Sequence, residues 1–300
     1  MEQSFPQKAS HTSKKTMHRI IHVLWGILFI YLLNLICQNY YVHLFEATPS
    51  IEKGQYIFII PVMTCVLVIF NVFFWTLYYF EFPFFDRFRV NPEPWLWKQN
   101  PAKWRKLLRD TLFIYAPQEL LLAPIVTQIY FMFFKVDLDI NRQVGFGEIL
   151  WQFCFCIFWE DFFLYFGHRL LHTPFFYKRI HKIHHRFNIT INIAVFFMHP
   201  AELLISAILP HYTGHMILKQ GMHITTFTAW SIYRTGHTNE HHSGYQFPFS
   251  PFSIFPGSVE PSYHDFHHHK NTGNYAISLH IWDSYFKTNS DYKKAIPAHA

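Results

Sequence analysis

Four long apolar stretches constrain the fold of this chain more than any other feature of its sequence. They cover residues 20–37, 56–80, 111–134 and 146–166, and each is about long enough to cross a bilayer. Apolar types make up 51% of the 300 residues and charged types only 15%, whereas a soluble domain carries roughly 25% charged residues. Because so little charge leaves a large apolar surface for lipid to cover, the sequence predicts an all-α integral membrane protein with about four transmembrane helices.

The ends of the chain and its internal divisions follow from the same pattern. Residues 1–19 are polar and basic, which is typical of a disordered cytoplasmic tail. The first apolar stretch is long, lacks a small-x-small cleavage site and is followed by further spans, so we interpret it as a retained helix rather than a signal peptide. We expect residues 20–145 to hold membrane spans and a basic connector, residues 146–292 a histidine-rich domain, and residues 293–300 a short tail.

The basic residues indicate the orientation of the spans. The formal net charge is +6, but the Lys and Arg residues lie between apolar runs and form no continuous stripe, which disfavours nucleic-acid binding. Segment 81–110 is dense in Lys and Arg. The positive-inside rule places this segment, the N-terminus and everything after Gly167 on the cytoplasmic face. The histidine-rich part of the chain is therefore predicted to form a cytoplasmic helical cap.

Segment 193–218 is apolar but contains Pro200, Pro210 and Gly214. A fifth span is one interpretation of this segment. The helix breakers favour a re-entrant or interfacial helical pair instead, since irregular backbone at membrane depth must be covered by protein.

Eight histidines occur in three clusters with the spacing of metal ligands. Residues three or four apart lie on one face of a helix, so their imidazoles can converge on one ion. Eight rings exceed the needs of a single ion and suit two ions, each with four or five imidazoles and an open position. The clusters are His168 and His172; His181, His184 and His185; and His264, His267 and His268.

Ligand type alone leaves the metal open among iron, copper, zinc and nickel. The apolar setting favours oxygen chemistry, with iron as the metal, over hydrolysis. A tract that binds metal without catalysis, and histidines that are merely interfacial, remain alternatives. The four cysteines lie inside apolar runs and suggest neither a zinc site nor a disulfide framework. The zincin motif, the Gly-x-Ser-x-Gly elbow, Gly-rich nucleotide loops and Glu-x-x-His pairs do not occur.

The sequence motifs within and between the histidine clusters resemble those of the fatty acid hydroxylase/sterol desaturase superfamily, and within it those of the C-4 methylsterol oxidases. The resemblance covers residues 145–292 well and the earlier spans in outline. It is carried by residues 168–185 (HRLLHTPFFYKRIHKIHH), 199–202 (HPAE), 242–248 (HSGYQFP), 263–268 (YHDFHH), 273–275 (GNY) and 282–283 (WD).

The resemblance implies an O2-dependent di-iron oxidase that hydroxylates or oxidises a C-4 methyl group of a sterol. Residues 146–292 would then be the fatty acid hydroxylase-type catalytic domain. The alternatives within the superfamily are a sterol C-5 desaturase, a sterol side-chain (C-24 or C-25) oxidase and a fatty acid hydroxylase. A non-catalytic membrane metal carrier and a metal-dependent hydrolase are alternatives from other classes.

The resemblance also implies a ligand set. The metal ligands would be His168, His172, His181, His184, His185, His199, His242, His264, His267 and His268. For His199 and His242 a helix-capping or hydrogen-bonding role is the alternative. Glu160, Asp161, Asp265 and Asp283 would orient ligand imidazoles. His269 is interpreted as a bystander, and His215, His237 and His241 receive no role.

Cofactors and partners are implied in the same way. The cofactors would be two Fe ions and O2, with electrons from NAD(P)H delivered by cytochrome b5 and its reductase, since no flavin or nicotinamide loop occurs in the chain. The basic cytoplasmic face would dock that acidic carrier. Endoplasmic reticulum is expected by resemblance, and a membrane lipid would be the substrate.

The chain departs from the family pattern in ways that bear on the substrate. Tyr263 stands where many relatives have a further histidine, and His237 and His241 are additional. Residues 196–198 (FFM) replace a usual glutamate-tyrosine-alanine step. We expect the departures at 196–198 and 237–241 to line the substrate pocket, with little effect on the metal-binding histidines.

Overall fold

A computed structural model describes residues 12–47, 59–218, 221–253, 255 and 257–295, with side chains from residue 20 onward. The described residues form helices and loops, with three isolated bridges in place of any sheet. This confirms the predicted all-α class. The predicted tail over residues 1–11 and the last residues, 296–300, lie outside the described residues.

Four helical stretches within the described residues are long and apolar enough to cross a membrane: 20–47, 59–80, 101–133 and 146–171. They confirm the predicted four spans. The elements that build this half of the chain are α1 (Thr12–Ala47), α2 (Ile59–Phe80), α3 (Pro83–Asp86), α4 (Leu96–Gln99), α5 (Pro101–Pro117), a π-helical segment (Gln118–Leu122), α6 (Ala123–Phe133) and α7 (Phe146–Leu171).

Two helices begin earlier than the hydropathy predicts. Helix α1 starts at Thr12, so residues 12–19 are helical rather than part of the predicted tail. Helix α5 starts at Pro101, inside the predicted basic connector. The side-chain oxygen of Asn100 accepts a hydrogen bond from the backbone N–H of Lys103 at 2.9 Å, and proline is well suited to the first helical turn. Local capping, which hydropathy does not register, sets this start.

The second half of the chain is built from shorter elements. They are α8 (Pro174–Arg179), 3₁₀ turns over His181–Arg186 and Asn192–Phe196, α9 (Pro200–Glu202), a second π-helical segment (Leu203–Ile208), α10 (Leu209–Leu218), α11 (Ile224–His241), α12 (Pro261–Lys270), α13 (Ile281–Tyr285) and α14 (Ser290–Ala295).

Segment 200–218 is one helical run from α9 to α10, not the helical pair that its prolines predict. Proline cannot donate to the carbonyl four residues earlier and normally breaks a helix. Here a wider π-helical segment ends two residues before Pro210, and the other π-helical segment ends two residues before Pro124. Both helices therefore pass their proline with a local widening of the backbone.

The core lies between α1, α7 and α11, where the rings of Phe153 and Trp230 are fully buried and meet edge to face. Buried hydrogen bonds join α1 to α11, from Asn34 to Thr226 at 3.0 Å and between Tyr41 and Thr228 at 2.9 Å. By contrast, α2 exposes a row of large apolar side chains, which suits contact with lipid. The membrane helices thus form a frame on which the later segments are assembled.

Candidate metal centre

Five histidines converge in one group, which we call the five-histidine cluster. The Nε2 atoms of His168 and His181 are 3.2 Å apart, and those of His181 and His185 are 3.0 Å apart. His267 Nε2 lies 3.2 Å from that of His185 and 3.1 Å from that of His172. Each ring offers one nitrogen to a common point, and all are buried except the half-buried His172.

Four further histidines form a second group, the four-histidine cluster. The Nε2 atom of His264 is 2.9 Å from that of His242 and 3.1 Å from that of His268. His184 Nε2 completes the group at 3.4 Å from that of His242. All four rings are buried. The structure thus brings the eight histidines of the three motifs, together with His242, into groups of five and four.

The clusters do not correspond to the sequence motifs one by one. His168 and His172 both join the five-histidine cluster from the end of α7. The motif at 181–185 is a 3₁₀ turn that sends His184 to the four-histidine cluster and its two other histidines to the larger one. Helix α12 divides its histidines in the same way, with His267 facing the five-histidine cluster. Two motifs therefore bridge the two clusters and hold them side by side.

Backbone carbonyls fix how several of these rings point. Nδ1 of His168 donates to Tyr275 O at 2.8 Å and Nδ1 of His267 to Gly273 O at 2.6 Å. In the other cluster Nδ1 of His242 donates to Thr238 O, and Nδ1 of His268 to Phe187 O, each at 2.9 Å. A neutral imidazole that carries its proton on Nδ1 has a lone pair on Nε2. The Nε2 atoms of these four rings are therefore acceptors turned toward the other rings of their clusters.

Burial keeps these rings neutral. It lowers the pKa of His184 to about 4. It also lowers the pKa values of His264, His267 and His268 well below the ordinary value, an effect that neighbouring imidazoles reinforce. Neutral imidazole is the form that ligates metal. In His168 and His181 both Nδ1 atoms donate to oxygen acceptors, so their Nε2 lone pairs face each other at 3.2 Å and repel, and a bound cation would remove that repulsion.

The donor set fits a first-row transition metal. Imidazole suits Fe, Cu, Zn and Ni, and no carboxylate belongs to either cluster among the described residues. A carboxylate does hold one of the rings. Nδ1 of His181 donates to Glu202 Oε1 at 2.7 Å, an arrangement typical of metal-ligating histidines.

Sequence reasoning missed Glu202, although the motif that contains it was singled out. The HPAE step was expected to supply a ligand through its histidine, but His199 is exposed and belongs to neither cluster. Its Nδ1 atom accepts a hydrogen bond from the Ala201 N–H at 3.1 Å, as the N-cap of α9. The structure thus places His199 in the capping role that was the alternative. The motif reaches the site through its glutamate.

Two of the carboxylates that were expected to orient the imidazoles bond to nearby loop residues and not to the rings themselves. Asp283 accepts hydrogen bonds from the N–H groups of Tyr275 at 3.1 Å and Ala276 at 2.8 Å, which holds the loop whose Tyr275 carbonyl orients His168. Asp265 accepts from the Thr190 hydroxyl at 2.6 Å and its N–H at 3.2 Å. Asp265 thereby ties α12 to the segment that follows the motif at 181–185.

The other two expected carboxylates, Glu160 and Asp161, lie on α7 before His168. Asp161 accepts from the N–H groups of Ser278 at 2.9 Å and Leu279 at 3.2 Å, and so anchors the segment after Tyr275. Glu160 forms a buried ion pair and hydrogen bond with Arg234 of α11. None of the four expected carboxylates has a hydrogen bond to a cluster histidine among those found for the described residues.

The histidines without an assigned role stay outside both clusters. The rings of His237 and His241 are tilted against each other with their centroids 4.1 Å apart, and Nδ1 of His241 donates to the His237 carbonyl at 2.9 Å. His215 hydrogen-bonds to the Tyr130 hydroxyl. His269 is exposed and belongs to neither cluster. His215, His237 and His241 are buried within the helical frame.

One cavity opens onto both clusters. It has a volume of about 220 Å³ and is bordered by His168 and His181 of one cluster and by His184, His242 and His264 of the other. Apolar side chains dominate the rest of the wall, and both π-helical segments contribute to it. The apolar wall is typical of a site for a lipid-like molecule. Phe196 and Met198 line it, as expected for that departure, whereas His237 and His241 do not.

Comparison with known proteins agrees with this geometry. The fatty acid hydroxylase family model matches residues 153–288. Methylsterol monooxygenase 1 of Danio rerio is 30% identical over 223 residues, which cover 73% of this chain and 74% of the relative. Methylsterol monooxygenase 1 of Rattus norvegicus is 32% identical over 220 residues, 71% of each chain.

A relative named for a different activity also matches. Very-long-chain aldehyde decarbonylase GL1-11 of Oryza sativa subsp. japonica is 36% identical over 154 residues, or 49% of this chain and 55% of that protein. No solved structure matches the chain.

Proposed function

Because this chain belongs to the fatty acid hydroxylase family, we propose that it is a di-iron, O2-dependent membrane oxidase that hydroxylates or further oxidises a C-4 methyl group of a sterol. The observation that carries the proposal is the pair of histidine clusters opening onto one apolar cavity. The coverage of the methylsterol monooxygenase relatives, about 70% of each, supports the sterol as substrate class.

Nine histidines would hold the metals: the five-histidine cluster one ion and the four-histidine cluster the other. Two iron ions bound there would supply the redox chemistry that reduces O2 and oxidises an unactivated C–H bond. Hydroxylation balances as substrate C–H plus O2, two electrons and two protons, giving C–OH and water. The ligand set is His168, His172, His181, His185 and His267 in one cluster and His184, His242, His264 and His268 in the other.

The chain itself would bind, orient and shield the substrate. Apolar side chains such as Leu164, Val195 and Ile277 exclude water from the cavity and hold a hydrocarbon frame against the histidines. Hydrogen bonds from Nδ1 to backbone carbonyls would fix the orientation of the imidazoles, so that the rings need little reorganisation when the metals bind. Glu202 and Asp283 would be positioning residues in this scheme, one directly and one through the Tyr275 loop.

Electrons would come from a separate carrier of the cytochrome b5 type, itself reduced by NAD(P)H through its reductase. The basic segment 81–110 supports this proposal, because it offers positive charge to an acidic partner. The same charge bias supports a cytoplasmic catalytic face and, with the family, a location in the endoplasmic reticulum.

The test is incubation of the purified, iron-loaded protein with 4-methylsterols, O2 and a reducing system, followed by mass analysis. Addition of one oxygen atom, or conversion of the methyl group to a carboxyl, is the expected result. Loss of two hydrogens would redirect the assignment to desaturation, and oxygen on the side chain to the C-24 or C-25 alternative. Turnover without O2 or reductant, or metal binding without any turnover, would overturn the oxidase assignment.

A further inference from the structure

We propose that Asn239 is a specificity-determining residue that accepts a hydrogen bond from a hydroxyl group of the substrate, next to the carbon that is oxidised. The inference rests on the proposed function and goes beyond it by naming the chemical group that the cavity requires. It selects a lipid with a free hydroxyl near its reactive carbon, over a lipid whose only polar group is an aldehyde or ketone.

The side-chain oxygen of Asn239 is buried without a partner. The residue is 1% exposed, and its Oδ1 atom has no hydrogen bond within the described part of the chain. Its Nδ2 atom donates to the Thr235 carbonyl at 2.9 Å. That bond fixes the amide orientation, since the flipped amide would bring two oxygens together. The atom left over is therefore an acceptor, and buried acceptors normally have a donor.

Asn239 lines the cavity beside the four-histidine cluster. It lies three residues before His242 on the same helical run, so the two side chains share a face of α11. Three residues correspond to about 4.5 Å along a helix axis. A ligand hydroxyl on Oδ1 would thus sit close to the point where the imidazoles of His184, His242 and His264 meet.

Several neighbouring polar side chains of the cavity are already engaged, while Glu202 keeps one buried carboxylate oxygen, Oε2, without a hydrogen-bond partner in the ranges that the structure describes. Arg234 pairs with Glu160 and also donates to the Thr238 hydroxyl. Gln118 donates to the Met198 carbonyl at 2.9 Å, and Glu202 holds His181. Asn239 is an amide of this wall whose oxygen is fully buried and has no partner among the described residues.

The required donor narrows the substrate class. A hydroxyl can donate to Oδ1, whereas an aldehyde or ketone oxygen can only accept. In a 3-hydroxy-4-methylsterol the hydroxyl and the methyl group are attached to adjacent ring carbons. Such a molecule can place the hydroxyl on Asn239 and the methyl carbon toward the clusters at the same time. A substrate oxidised at the far end of its side chain has no hydroxyl in that position.

The test compares equilibrium binding of a 3-hydroxy-4-methylsterol and its 3-ketone to the iron-loaded protein without reductant. We expect the wild-type protein to prefer the alcohol by about tenfold or more, because the ketone leaves Oδ1 unpaired. Asn239→Val should bind both sterols alike. Asn239→Thr, which has the shape of valine and a hydroxyl, should recover part of the preference.

Asn34 supplies a matched control. It is 1% exposed, also has an unpartnered Oδ1 atom, and lies on α1 away from the cavity lining. Asn34→Val should keep the wild-type ratio. A wild-type ratio near one, or an unchanged ratio in Asn239→Val with its iron retained, would overturn the inference while leaving sterol oxidation intact. If the iron-loaded wild type neither bound nor oxidised any sterol, the proposed function would fail as well.

Discussion

Glu202 accepts a hydrogen bond from the Nδ1 atom of His181 at 2.7 Å, and the two side chains are 3% and 1% exposed. The carboxylate comes from the start of the helix at 200–218, while His181 opens the 3₁₀ turn after α8. The contact joins a helix that passes beside α7 to the five-histidine cluster. It is the one direct carboxylate contact to a cluster imidazole found among the described residues.

Glu202 should therefore matter for metal binding. Loss of a carboxylate that orients a ligand histidine typically lowers metal affinity by about 10- to 100-fold. We expect Glu202→Ala to lower iron affinity by that factor and Glu202→Gln, which keeps an acceptor, to lower it less. Iron titration of the apo-protein measures the effect. Asp291→Asn, at a site 73% exposed, is the control. Equal affinity in Glu202→Ala and wild type would remove the positioning role.

The two clusters should lose metal separately. His267→Ala removes a ring from the five-histidine cluster, and His264→Ala removes one from the four-histidine cluster. We expect each variant to keep iron in its intact cluster and to bind the second iron more weakly. The larger loss should occur in His264→Ala, because that variant leaves only three imidazoles in its cluster while His267→Ala leaves four. Metal analysis of detergent-purified protein gives the stoichiometry.

Exposed histidines provide the controls for that experiment. His269→Ala and His199→Ala should keep the full iron content, since neither ring belongs to a cluster. A loss of iron in His199→Ala would return His199 to the ligand set. Full iron in both cluster variants would exclude the two clusters as the metal sites.

Filling the cavity should block the substrate without removing the metals. Ala207 lies on the π-helical segment at 203–208 and lines the cavity, so Ala207→Phe narrows it. We expect sterol binding to weaken by about tenfold or more, since added volume in a packed site costs about 1–3 kcal/mol. Leu204→Phe is the matched control, because Leu204 lies on the same segment, is 40% exposed and does not line the cavity. Equal weakening in both variants would contradict the assignment of this cavity.

Close packing of α10 on α7 should depend on Gly214. A Cβ atom there would come within 2.6 Å of Cys156 Sγ and 2.8 Å of Cys156 Cα. Gly214→Val should lower the thermal unfolding midpoint and, because α7 carries His168 and the run at 200–218 carries Glu202, also the iron content. Gly147→Val is the control within α7, since nothing lies within 4 Å of its added Cβ. A normal midpoint for Gly214→Val would show that the helices can separate freely.

Part of the fold could be predicted because it depends on local chemistry. Apolar length gives the spans, and hydropathy alone located all four. Two helices start earlier than predicted, because hydropathy registers neither the capping of α5 by Asn100 nor the extension of α1 back to Thr12. The helices continue through Pro124 and Pro210 after π-helical segments that precede these prolines. No residue type specifies a π-helical segment by itself. Glu202 was missed for a similar reason, because the sequence of the HPAE motif does not indicate which of its side chains contacts the histidine clusters.

The sequence by itself determined the chemistry of the centre: neutral imidazoles in excess of one ion's needs, close to apolar helices. The tertiary structure alone decided how those rings are divided between the two clusters. His184 and His185 are adjacent in the chain, yet they serve different clusters. Adjacent side chains on a helical turn point in different directions, so each ring joins whichever partners the long-range packing of α7, α11 and α12 brings to it. Residue spacing sets the direction of a side chain, and only the packed helices set what it meets.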